Sequence, residues 1–361
     1  MIIGCPKEIK EQEYRVGITP NNALEMVKHG HSVIIQSQAG VGAGFSNQDY
    51  INAGAKIAEC DDVWSNADMI VKVKEPKPHE IEKMREGQMI FTYLHLAADK
   101  PQADALMKQG VVAIAYETIP DTKGALPLLA PMSEVAGRLA PQVGSWSLQK
   151  ANGGMGKLMG GVPGVEPAKV LVIGGGIVGT NAAVVASGMG ADVTVLDRSI
   201  ERMRYLDDTH GGRFKTAFAD ARTTERLAFE ADMVIGAVLI PGAAAPKLLS
   251  REQICMMKEG SVLVDVAIDQ GGCFETSHAT THNNPIYVLY DVIHYCVANM
   301  PGAVPQTSTV ALNNATLPYI LQIANYGYAE AMERNPLLKL GLNVCNGEIV
   351  CEAVKDAFKD M

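Results

Sequence analysis

The sequence predicts an α/β protein of two lobes, each built on a parallel sheet, and three observations carry that expectation. The chain has 361 residues, and at about 150 residues per domain that length suits roughly two domains. Short, β-branched apolar runs recur along it with helically periodic stretches between them, the pattern of strands joined by crossover helices. Most of these runs are continuously apolar, as strands covered by helices on both faces must be.

Taken in order, the expected strands are residues 32–35, 69–73, 89–93, 111–115, 170–173, 193–196, 233–239 and 262–267, preceded by one short strand before a helix that begins near Pro20. A long helix is expected within PLLAPMSEVAGRLAPQVGSWSLQKA, where it could bridge the lobes. From about Gln306 the pattern is helical again and suits a segment that returns to the first lobe and closes a cleft. The expected division is therefore residues 1–129 with 306–361 in one domain and 130–305 in the other.

Composition removes several function classes. Apolar residues make up 47% and charged residues 20%, enough core material to exclude general disorder. The net charge of −9 and a pI near 5.4 offer no basic footprint for a nucleic acid backbone. Seven scattered cysteines without a Cys-x-x-Cys pair fit a reducing compartment. The N-terminus lacks the apolar run of an export signal, and the strongly apolar stretch 233–246 is too short for a membrane span and is broken by Pro241. A cytoplasmic protein with no membrane partner is expected.

The strongest local signal spans residues 169–197, KVLVIGGGIVGTNAAVVASGMGADVTVLD. Gly174, Gly176 and Gly179 follow a strand and open a helix, and a second strand ends at Asp197. Gly174 permits the tight turn, Gly176 lets a pyrophosphate approach the backbone, and Gly179 lets helix and strand pack closely. The helix N-terminus offers N–H groups to the phosphates. Asp197 suits the ribose hydroxyls and disfavours a 2′-phosphate, so NAD is expected over NADP. Arg198 and Arg202 lie close enough in sequence to offset that preference.

Other apparent motifs do not carry their chemistry. The GGMGKL segment has Leu158 where a P-loop needs Ser or Thr, and GVGAGF has Phe45 at the third glycine position. Cys273, His278 and His282 lack a fourth zinc ligand at conventional spacing. No metal is expected.

Four residues at or beyond strand ends are candidates for catalysis, since open α/β folds bind ligands there. Arg15 and Lys74 could clamp the carboxylate of a small 2-oxo or 2-amino acid. His95 suits general acid/base work at a carbonyl or carbinolamine oxygen. Asp269 could offset the charge of an iminium or orient water or ammonia. Each also has a plainer reading: surface charges for the two cations, a buried histidine, and a helix cap.

The blocks PKEIKEQEYRVGITP, VKVKEP, FTYLHLAA, LPLLAPMSEVAGRLA, MGGVPGVEPAKVLVIGGGIVG, VDVAIDQGGCFETS and VANMPGAVPQTSTVALNNATLPY occur in an order that resembles the alanine dehydrogenase and pyridine nucleotide transhydrogenase group over nearly the full length. The resemblance implies two Rossmann-like, doubly wound parallel-sheet domains flanking a cleft, usually assembled as homo-hexamers. It implies NAD-dependent oxidative deamination of L-alanine to pyruvate and ammonium, and the reverse. Positions matching Arg15 and Lys74 then bind substrate, and His95 and Asp269 are the catalytic pair. The implied cofactor contacts are Ser133, Val178, Asp197, Arg202, Val238, Leu239, Val266, Ala267, Ile268, Asp269, Val297, Ala298, Asn299 and Met300. Gln322 and Tyr326 stand where some relatives hold magnesium, so none is carried over, and His278 stands where some members place an arginine on the cofactor.

Overall fold

The computed structural model describes residues 1–238 and 245–359, and contains fifteen strands in two sheets among them. In chain order these are β1 (Ile2–Cys5), β2 (Ser32–Gln36), β3 (Lys56–Ala58), β4 (Met69–Val71), β5 (Met89–Thr92), β6 (Val112–Ala115), β7 (Lys169–Ile173), β8 (Asp192–Asp197), β9 (Lys215–Phe218), β10 (Met233–Gly236), β11 (Val262–Asp265), β12 (Ile286–Leu289), β13 (Val292–Tyr295), β14 (Leu342–Cys345) and β15 (Glu348–Ile349). The chain divides into two compact units, residues 1–132 with 304–361 and residues 133–303. The division falls inside the helix Ala130–Ser147.

The first unit holds an eight-stranded sheet in the order β15-β14-β6-β5-β4-β1-β2-β3. Strands β1 to β6 pair in parallel, and β14 and β15 add an antiparallel margin. Successive side chains enter opposite cores. Met69 and Val71, Met89 and Phe91, and Val112 and Ile114 face one, while Ile70, Ile90, Ala113 and Ala115 face the other. That two-residue alternation with both faces apolar is what a sheet covered on both sides requires.

The long helix Pro305–Arg334 supplies Leu312, Ile320 and Ile323 to the first of these cores. Asn313, fully buried, ties that helix to the N-terminal loop. Its Nδ2 donates to the Val16 carbonyl at 3.1 Å, and its Oδ1 accepts from the Thr19 N–H at 2.7 Å. A single amide thus joins residues nearly three hundred positions apart.

The second unit holds a seven-stranded sheet in the order β12-β13-β11-β10-β7-β8-β9, parallel except for β12. Chain order reverses at β7 and β10, which are neighbours, so this is the topological switch point of a doubly wound sheet. The β12–β13 hairpin turns at Tyr290 and Asp291, both at positive φ, as its two-residue connection demands.

Several strands are shorter than their apolar runs predict. The run 69–73 ends as strand at Val71, 233–239 at Gly236, and 262–267 at Asp265. Beyond those points the backbone turns to the carboxylates described below, or lines a cavity. Strands β3 and β9 have exposed or half-exposed residues throughout, and so lack the apolar signature that marked the central strands. No helix among the described residues is long and apolar enough to cross a membrane.

Replacing Asn313 with Leu keeps the volume but strands the Thr19 N–H and the Val16 carbonyl. An unsatisfied buried group costs about 1–3 kcal/mol. The urea midpoint of Asn313→Leu should fall accordingly, and a wild-type midpoint would remove this amide from the stability of the unit.

Candidate active site

Strands β1, β4, β5 and β6 are parallel neighbours, so their carboxyl ends share one edge of the first sheet. The loops leaving that edge carry Arg15, Lys74, His95 and Glu117 respectively.

Arg15 is only 2% exposed, so it is no surface charge. Its Nε donates to Glu13 Oε1 at 2.7 Å and its Nη2 to Oε2 at 2.6 Å, a bidentate fork, while Nη1 lies 3.0 Å from Met132 Sδ. Burial works against the guanidinium charge, but Glu13 outweighs it and raises the pKa, so Arg15 remains a fixed cation.

Lys74 is half-buried in the loop after β4. Its N–H and that of Val73 donate to Glu8 Oε1 at 3.2 and 2.6 Å, and its carbonyl accepts from the Thr92 hydroxyl at 2.9 Å. Glu8 also lies 3.2 Å from the Nζ of Lys72, which reaches Glu80 at 3.0 Å. Burial works against the charge of Lys72. The two carboxylates reverse that and raise its pKa, whereas burial dominates at Glu8 and pushes its carboxyl up.

His95 stands three residues past the end of β5, in the left-handed conformation at φ 52°. For a residue with a bulky side chain that costs about 1–2 kcal/mol. The turn is held from three sides. Glu117 Oε1 accepts from the His95 N–H at 2.6 Å and the Leu94 N–H at 3.1 Å, Gln102 donates to the Leu94 carbonyl at 3.0 Å, and the imidazole stacks on Tyr93 at 5.9 Å. The His95 side chain is 53% exposed, so it is not a buried core histidine.

In the second unit a cavity of about 780 Å³ opens beyond the carboxyl ends of β7 to β10. Gly174, Gly176, Val178, Asp197, Ser133 and Val238 are among the residues lining it. Gly174 takes φ 105°, and a Cβ there would press on the Ala237 carbonyl. A Cβ on Gly179 would lie 1.7 Å from the Gly174 carbonyl oxygen, so the helix approaches the turn only because that side chain is absent. A Cβ on Gly176 would meet nothing within 4 Å. Open space over Gly176, at an N-terminus with no side-chain cap and no acid in its first turn, suits a pyrophosphate.

Asp197 does more than line this cavity. Its Oδ2 accepts from the Gly175 N–H at 2.7 Å and its Oδ1 from the Ser199 N–H at 2.8 Å. Arg202 grips the other side of the same residue, donating to the Gly175 carbonyl at 2.5 Å and to the Thr180 hydroxyl at 2.8 Å. Its guanidinium therefore braces the glycine turn, and Arg198 and Lys247 are the cations that line the cavity.

Asp269 lies four residues past β11, exposed in a single 3₁₀ turn, Ile268–Gln270. Asn299, at positive φ, donates its N–H to Asp269 Oδ2 at 3.4 Å, so these two expected residues do meet. The turn is organised by Asp265, which accepts from the N–H groups of Ala267 and Cys273 and from the Ser277 hydroxyl, at 3.1, 2.7 and 2.6 Å. Burial raises the Asp265 pKa against those three donors. Val266, Ala267, Ile268, Val297, Ala298 and Met300 flank this turn and its neighbour from β13 but do not line the cavity. Leu239 lies outside the described residues.

The residues not anticipated from sequence are the carboxylates Glu8, Glu13, Glu117 and Asp265, with Lys72. Asp265 and Lys72 did leave a signal, as lone charges inside the apolar runs VLVDV and IVKV. Cys273, His278 and His282 do not converge. Cys273 is buried toward the Val238 carbonyl, His278 stacks on Tyr287, and His282 points to the Asn299 carbonyl. No group of three metal-binding side chains occurs among the described residues.

A doubly wound sheet with a glycine cradle at its switch point defines a dinucleotide-binding α/β protein. The chain belongs to the alanine dehydrogenase/PNT family, whose N-terminal domain model matches residues 4–136 and whose C-terminal domain model matches residues 140–352. It is 56% identical to an alanine dehydrogenase of Halomonas elongata over 99% of this chain and 97% of the relative. It is 52% identical to that of Mycobacterium tuberculosis over 98% and 96%. A solved L-alanine dehydrogenase superposes with a TM-score of 0.97 at 50% identity, covering 100% of this chain and 99% of the other. The transhydrogenase of Sinorhizobium meliloti shares the fold at a TM-score of 0.84 and 24% identity, over 97% and 99% of the two chains.

Gly179→Ala should drive its methyl group into backbone. Overpacking costs about 1–3 kcal/mol, so NADH affinity, read by fluorescence titration, should fall by about tenfold or more. Gly188→Ala, in the same helix with open space around its Cβ, is the control and should bind NADH normally. Equal binding by both variants would contradict the cradle.

Proposed function

We propose that the chain catalyses NAD-dependent oxidative deamination of L-alanine, L-alanine + NAD⁺ + H₂O giving pyruvate + NH₄⁺ + NADH + H⁺, and the reverse reductive amination. The observation that carries this reading is the row of a buried, fixed Arg15, the half-buried Lys74 and an exposed histidine along one sheet edge, in a chain that also holds a glycine cradle for a dinucleotide pyrophosphate. A protein that only sensed NAD, or passed hydride between two nucleotides, would have no use for a carboxylate clamp.

Arg15 and Lys74 hold the substrate carboxylate. Glu13 occupies one edge of the guanidinium and fixes its plane, so the cation is held in a set orientation. His95 takes the proton of the attacking water in deamination, and returns it to the carbinolamine oxygen in amination. Asp269 offsets the positive charge of the iminium and orients ammonia or water. The bound cofactor supplies hydride acceptance at the alanine Cα, or hydride donation to the imine carbon. Asp197 selects NAD through the ribose hydroxyls, and the other contacts implied by the family, from Ser133 to Met300, complete the cofactor assignment. The domain around residues 1–129 and 306–361 is the substrate domain, and residues 130–305 bind NAD. Homo-hexamers, as the family resemblance implies, and a cytoplasmic location complete the reading; the location is supported by seven cysteines that all remain thiols.

Purified protein should consume NADH, followed by absorbance, only when pyruvate and ammonium are both present, and should prefer NADH to NADPH. Consumption without ammonium, or none in protein that binds NADH, would overturn the assignment. His95→Ala should lower turnover by roughly 10²- to 10⁴-fold with NADH binding retained. Asp197→Ala should shift the NADP/NAD preference ratio toward NADP, and an unchanged ratio would remove the ribose role. Light scattering should give a mass six times the 38.5 kDa chain.

A further inference from the structure

We infer that Glu117 is a positioning residue for His95, acting on the reaction through that histidine alone; the inference rests on the role proposed for His95 above. Glu117 lies past β6, next to the β5 turn, with its side chain only 13% exposed. Its Oε1 accepts from two consecutive backbone N–H groups, those of Leu94 and His95, and its Oε2 is 3.3 Å from the Leu94 N–H. These N–H groups have left the sheet ladder, and the left-handed turn they belong to persists only if its surroundings over-determine it. The same Oε1 stands 3.9 Å from His95 Nδ1. One carboxylate oxygen thus fixes the backbone that aims the imidazole and lies beside the nitrogen that need not face substrate, leaving Nε2 to exchange the proton. An imidazolium formed in turnover gains a counter-charge without a change of backbone.

The test is a double-mutant cycle in pyruvate amination with Glu117→Ala, Glu117→Gln, His95→Ala and the doubly substituted His95→Ala/Glu117→Ala. A misaimed catalytic group costs on the order of 10²-fold, so Glu117→Ala should lower kcat by about 10- to 100-fold. Its pyruvate KM and NADH affinity should stay near wild type. Glu117→Gln keeps an acceptor oxygen for the two N–H groups and should recover part of the lost kcat. Contacting residues that act as a unit are not additive, so Glu117→Ala should change kcat no further once His95 is already Ala. Equal losses in both backgrounds, a Gln variant no better than Ala, or an unaffected kcat would each overturn the inference. If His95→Ala itself keeps full turnover, the role of His95 fails instead. A collapse in His95→Ala with normal Glu117→Ala removes only Glu117.

Discussion

Buried and half-buried carboxylates that accept backbone N–H groups beyond the ends of parallel strands are the interaction on which the rest of the site depends. A parallel strand that stops pairing leaves its next N–H groups without a ladder partner, and an unsatisfied N–H away from water is costly. Here Glu8 takes the N–H groups of Val73 and Lys74, Glu117 those of Leu94 and His95, Asp265 those of Ala267 and Cys273, and Asp197 that of Gly175. Each such bond is charge-assisted and therefore stronger than the neutral one it replaces. The residue that each clamp displays is a functional candidate: Lys74, His95, Asp269 and the glycine cradle.

The clamps carry negative charge into the protein, and the arrangement of cations follows from that. Lys72 lies between Glu8 and Glu80, Arg15 against Glu13, and neither cation is solvated. Buried ion pairs gain little over apolar packing but are costly to break. Their value here is geometric: they fix the carboxylates that in turn fix the loops. The first unit therefore presents Arg15, Lys74 and the His95 imidazole along an edge whose backbone is already committed.

In the second unit the same logic serves cofactor chemistry. Gly175 is held by its N–H on Asp197 and by its carbonyl on Arg202, so the protein's own groups brace the turn between Gly174 and Gly176. A preformed cradle loses less conformational freedom on binding. Asp197 thereby serves both the turn and the ribose, and a change at that position acts on both.

The amino-acid sequence by itself determined the α/β class, the central strands and the glycine turn with its acid, and it singled out Arg15, Lys74, His95 and Asp269 as candidates. Those features rest on local regularities: continuous apolar runs, fixed glycine spacing and charges just past strand ends. It did not reveal the marginal strands β3, β9 and β15, whose exposed or half-exposed residues carry no such pattern, nor the short β14. Nor did it distinguish Arg202, which reads as a cofactor cation in sequence and braces Gly175 in space. Only the tertiary structure decided which carboxylate meets which backbone: Glu117 and His95 are 22 residues apart, and Glu8 and Lys74 are 66 apart. Such pairings depend on which strands become neighbours, and strand order is set by packing of the whole sheet, which no local window of sequence contains.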